Sequence, residues 1–72
     1  SRSTLQLEIG RLEARMQELG DEAAALEAQL GAVADPAGIA ALGRKLEAVQ
    51  VELRLAEERW LMLSAELETS SA

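Results

Sequence analysis

The seven residues Val33-Ala34-Asp35-Pro36-Ala37-Gly38-Ile39 decide the fold, because two regular patterns meet there and fail to join. On the N-terminal side apolar residues recur as Leu5, Ile9, Leu12, Met16, Leu19, Ala23, Leu26, Leu30 and Val33, in steps that alternate between four and three residues. That spacing is the a/d row of a heptad repeat, which keeps one apolar stripe turned toward a partner helix. On the C-terminal side the alternation resumes as Ile39, Leu42, Leu46, Val49, Leu53, Ala56, Trp60, Leu63 and Leu67. One continuous helix would have to carry its phase from Val33 to Ile39, a step of six residues, and the heptad has no such step.

The chemistry of the break is that of a turn. A proline inside a helix loses a hydrogen bond and collides with the preceding turn, yet it suits the first helical position. Asp35, just ahead of Pro36, can cap the exposed amides of a new helix and faces the positive end of its dipole. The second helix is therefore expected over about 36–68, after a turn at about 34–35, with a tail at 69–72. The first is expected over about 3–33, opened by a capping box of Ser3 and Gln6. Gly31 could end it earlier as a left-handed cap residue. Gly31, Gly38 and Gly43 around the turn make the tip the loosest expected part.

A turn this short sets the helices antiparallel. Folding the chain back pairs Val33 with Ile39, Leu30 with Leu42, Leu26 with Leu46, Ala23 with Val49 and Leu19 with Leu53. Beyond these come Met16 with Ala56, Leu12 with Trp60, Ile9 with Leu63 and Leu5 with Leu67, and in every pair the residue numbers add to 72. Each pair joins an a position to a d position, as antiparallel packing requires. The fold class is all-α, an antiparallel two-helix coiled-coil hairpin. Charges beside the seam are mixed: Arg15 with Arg59 and Glu22 with Glu52 repel, whereas the diagonals Glu8–Arg59, Arg15–Glu52 and Glu22–Lys45 attract.

Composition agrees and narrows the function. The chain has 72 residues, 49% of them hydrophobic, with Trp60 the single aromatic and a net charge of −6. Such a Leu/Ala/Glu/Arg mixture suits long helices rather than a mixed core. It begins at Ser1 without Met, so it is expected to be a fragment of a larger chain. There is no apolar run long enough to span a bilayer and no signal pattern, which makes the cytoplasm the default location and excludes a membrane role. With no histidine and no cysteine, the usual general base and zinc ligands are missing. The neighbouring carboxylates Asp21-Glu22 and Glu57-Glu58 point to different parts of a helix surface and read as solvated. No catalytic, metal or cofactor-binding residue is expected.

Outside the seam, helix 2 carries Ala41, Ala48, Val51, Leu55, Met62 and Ala65 along its back, with Leu61 close by, where helix 1 has Leu7 and alanines. Val51, Leu55, Leu61 and Met62 form a candidate docking stripe for a protein or ribonucleoprotein partner, or for a homodimer through helix 2. The alternative is scattered apolar surface of the ordinary kind. Arg44 and Lys45 are adjacent near the tip and are the candidate nucleic-acid contacts. The acidic balance and the lack of interleaved aromatics favour solvent-facing charges there. Trp60 is expected as a core anchor, with a binding hot spot as the lesser reading.

The stretch Leu55-Ala56-Glu57-Glu58-Arg59-Trp60-Leu61-Met62-Leu63, with Asp35-Pro36-Ala37 and Ala40-Ala41-Leu42 ahead of it, resembles the C-terminal coiled-coil domain of ABC-F ATPases of the Uup type. Ile9-Gly10-Arg11-Leu12-Glu13-Ala14 and Leu26-Glu27-Ala28 in helix 1 are similar to it as well. The resemblance implies a parent with ATP-binding cassettes outside these residues, acting on ribosomes and translation. It also implies a C-terminal hairpin associated with DNA or other nucleic acid and with supporting the ATPase. This chain departs from that pattern in its shorter turn and its acidic charge. Two other readings are a purely structural oligomerisation hairpin and a tRNA-binding arm of an aminoacyl-tRNA synthetase.

Overall fold

In a computed structural model, which describes residues 1–71, the chain forms two helices, α1 (Arg2–Ala32) and α2 (Pro36–Ser71). At about 1.5 Å per residue, the 36 residues of α2 should extend ~54 Å, and the molecule measures 55 × 14 × 13 Å. Helix α2 therefore runs the full length of the rod, and α1 lies back along it.

The ends of α1 differ from the sequence expectation in instructive ways. Ser1, not Ser3, is the N-cap: its Oγ accepts from the Thr4 amide at 3.3 Å, and the Leu5 amide donates to the Ser1 carbonyl at 3.1 Å. Once a helix exists, each added residue gains a backbone hydrogen bond at little further cost. Arg2 and Ser3 tolerate the helix, so it extends back past the Ser3–Gln6 box. At the other end Gly31 stays helical, and among the described residues none takes a left-handed conformation. The helix stops one residue short of Val33, which is extended at φ −93°, ψ 135° while its amide still donates to the Gln29 carbonyl at 3.1 Å.

The turn is built as its residues suggest, with one addition. Asp35 Oδ2 accepts from the Gly38 amide at 2.8 Å, capping α2 three residues ahead. A Cβ on Gly38 would sit 2.8 Å from Asp35 Oδ1 and 2.9 Å from Val33 Cγ1. Glycine is needed there for space, because the cap carboxylate and the Val33 side chain close over that backbone. Helix α2 also continues through Thr69, Ser70 and Ser71, expected as tail. Thr69 Oγ1 donates to the Ala65 carbonyl at 3.0 Å and Ser70 Oγ to the Leu67 carbonyl at 3.1 Å, which suits hydroxyl residues in a last turn. The rest of the expected tail, Ala72, lies outside the described residues.

The seam is the core. Leu19, Ala23, Leu26 and Val49 are buried together, with Leu42, Leu46, Leu53 and Ala56 packed against them, and Leu63 is buried further along. Every other seam residue is partly buried except Ile39, which stays 43% exposed. Ile39 forms the last layer, where α1 has already ended and no further layer covers it. The register follows the expected diagonals: Arg15–Glu52 at 2.9 Å and Arg59–Glu8 at 3.5 Å. The third diagonal, Glu22 with Lys45, forms no ion pair among the described residues.

Candidate functional site

With one stripe of each helix spent on the seam, the question is what the outer faces offer. On α1 the only large exposed apolar residue is Leu7, at 56%. On α2 Leu55 (57%), Leu61 (61%) and Met62 (58%) stand open, with Val51 at 38%. The heptad explains the contrast. Residues that follow the seam by two or five positions lie on the back of a helix, and on α2 those places hold Ala41, Ala48, Val51, Leu55, Met62 and Ala65, with the charged Arg44 and Glu58 between them. Ala48 and Ala65 are exposed and Ala41 is partly covered, so the small residues extend the same face. All four residues of the candidate stripe are thus on the surface. Val51, Leu55 and Met62 share the row and Leu61 flanks it. A largely apolar row on one helix of an otherwise charged rod, interrupted by Arg44 and Glu58, is a surface suited to a helical partner.

The basic residues fall in two places. Arg44 and Lys45 are exposed near the turn, and neither makes an ion pair among the described residues. Toward the other end, Glu8, Arg11, Leu12, Arg15 and Arg59 line an open groove of about 320 Å³. Three guanidinium groups gather there from both helices, which a wheel of either helix alone does not show. Two of them are engaged: Arg15 bridges Glu52 at 2.9 Å and Glu18 at 3.1 Å, and Arg59 reaches Glu8. Hydrogen bonds that Arg15 donates to Glu52 and then to Glu18 raise its pKa above the ordinary value, so its charge is permanent. Arg11 is exposed and unpaired among the described residues.

Trp60 is a seam residue, partly buried, and its Nε1–H donates to Glu13 Oε2 at 3.2 Å. The indole packs its body into the seam and satisfies its one polar atom at the rim, the usual arrangement for a half-buried tryptophan. Among the described residues, no three acidic side chains come close enough together to hold a metal ion. Nor, among those residues, is any helix long and apolar enough to cross a membrane.

Fold and surface together define a class: a helical hairpin whose inner faces are consumed by each other and whose second helix leaves an apolar face exposed. The family of ABC transporter C-terminal domains matches residues 2–65, nearly the whole hairpin, and the chain belongs to that family. No individual characterised protein and no solved structure matches it.

Proposed function

We propose that this hairpin is the non-catalytic interaction module of an ABC-F type ATP-binding protein, aiding that protein's association with its own ATPase body, the ribosome or nucleic acid. In this reading ATP is bound by cassettes outside these residues, and the hairpin supplies a rigid contact arm in the cytoplasm. The observation that carries it is the apolar face of α2, where Leu55, Leu61 and Met62 are each more than half exposed. A row of that kind contributes affinity only when another surface covers it. The match over residues 2–65 favours a C-terminal domain of an ABC protein over an arm of an aminoacyl-tRNA synthetase.

The test is co-sedimentation of the hairpin with ribosomes, together with capture of ATP-binding cassettes from an ABC-F protein. Binding in at least one assay that is lost in the triple variant Val51→Glu/Leu55→Glu/Met62→Glu, with helicity retained, is the expected result. Binding that survives the three charges overturns this face as the contact surface.

A second reading, nucleic-acid binding, draws on the free Arg44 and Lys45 and on the gathering of Arg11, Arg15 and Arg59. It requires affinity for duplex DNA or RNA that falls steeply with salt and is lost in Arg44→Glu/Lys45→Glu. The net charge of −6 opposes it.

A further inference from the structure

The outer row of α2 has a period as well as a polarity. Ala41, Arg44, Ala48, Val51, Leu55, Glu58, Met62 and Ala65 follow one another in alternating steps of three and four, a second heptad row on the same helix. A 3.5-residue repeat stays in register only with another supercoiling helix. The row shares the heptad period of the seam, so a helical occupant can follow it. Two members are charged, Arg44 and Glu58, of opposite sign and each seven residues from Val51. Neither makes an ion pair among the described residues, although both stand exposed.

We propose that the occupant is a second copy of this chain, its α2 packed antiparallel on the first about a two-fold axis near residue 53. This rests on the reading that the outer face of α2 is an interface, and names the partner. The two charges within the row select the direction, although Arg54 then lies beside Arg54 of the second copy. Parallel pairing sets Arg44 against Arg44 and Glu58 against Glu58 of the second copy, whereas antiparallel pairing brings each Arg44 beside the other copy's Glu58. The register with the best fit puts Val51 opposite Leu55, Ala41 opposite Ala65 and Arg44 opposite Met62 of the second copy. Arg44 and Glu58 are then about 6 Å apart along the axis, a gap the arginine side chain spans while its stem covers Met62. The axis makes the contact self-complementary, so each pairing occurs twice. Repulsion between two chains of charge −6 weakens the dimer.

Sedimentation equilibrium over a concentration series tests this directly. The chain should dimerise, and Arg44→Glu and Glu58→Arg should each weaken the dimer at least ~10-fold. The doubly reversed Arg44→Glu/Glu58→Arg protein should recover most of the loss. Leu55→Glu should leave a helical monomer by circular dichroism. Direction is read by a short bis-maleimide: Arg54→Cys copies should join to each other, Glu68→Cys copies should not, and Glu68→Cys should join to Ala40→Cys. A chain that stays monomeric overturns the proposal, as do a dimer indifferent to Leu55→Glu and self-linking by Glu68→Cys. A monomer whose contact with ribosome or ATPase is still lost in the triple variant sinks self-pairing and leaves the functional reading intact. A monomer whose contacts ignore those substitutions sinks both.

Discussion

The half of the rod near the turn and the half near the open end are held by different means. Near the turn, Leu19, Ala23, Leu26 and Val49 are buried together, and among the described residues no side-chain ion pair joins the helices there. Toward the open end only Leu63 is buried, while Leu5, Ile9, Leu12, Trp60 and Leu67 are partly covered. There the helices are stitched at the rim instead, by Arg15–Glu52, Arg59–Glu8 and Trp60–Glu13. Aliphatic burial stabilises by roughly 25 cal/mol per Å² removed from water. Exposed ion pairs contribute little and are screened by salt. The turn half should therefore carry the stability, and the open half mainly its alignment.

The largest effect should come from Leu19→Ala, at the centre of the cluster and 0% exposed. Removing a fully buried leucine side chain typically costs about 3 kcal/mol, a large fraction of what so small a domain has. Thermal melts followed by circular dichroism should show the transition lost or displaced far downward. Leu5→Ala, at the open end, should cost under about 1 kcal/mol because its leucine is only partly covered. Equal costs at the two positions would break the contrast between the halves.

Next is the cap. Asp35→Ala removes the bond to the Gly38 amide and should cost about 1 kcal/mol. Gly38→Ala sharpens the point. Alanine is favoured over glycine within a helix by about 1 kcal/mol, but its Cβ would meet Asp35 Oδ1 at 2.8 Å and Val33 Cγ1 at 2.9 Å. The carboxylate must then swing away and give up its cap. Gly38→Ala should therefore be more harmful in the wild type than in an Asp35→Ala background. A double-mutant cycle by urea denaturation measures that coupling, and additive effects would mean that the cap and the glycine act separately.

The seam was legible in the sequence because it depends only on periodicity and on the side chains' apolar character. So was the turn, because Asp35 and Pro36 have few other ways to sit beside each other. What periodicity could not reveal depends on where chain ends and long side chains go. The start at Ser1 follows from helix propagation past a good capping box. The exposure of Ile39 follows from α1 ending before it. The Trp60–Glu13 bond and the gathering of Arg11, Arg15 and Arg59 need both helices in place and their side chains extended. The stripe of Val51, Leu55, Leu61 and Met62 was visible as a row, and the structure adds that no part of α1 covers it.

The smallest effect should come from the stitching. Arg15 is nearly half exposed, at 45% for its side chain, and Glu52 is more so. Arg15→Gln should lower the melting temperature by no more than about 2 °C, and the difference should vanish at high salt as the ions are screened. Its pH dependence follows from the sign of the shift. Glu52 and Glu18 raise the arginine's pKa, so whatever the group contributes is fully present below its ordinary value and lost only as pH rises past the raised one. Between mildly acidic and mildly alkaline pH the arginine stays charged, and its own titration adds no slope to the melting curve. A large, salt-resistant loss in Arg15→Gln would mean that the open half is held as firmly as the turn half, by charge instead of burial.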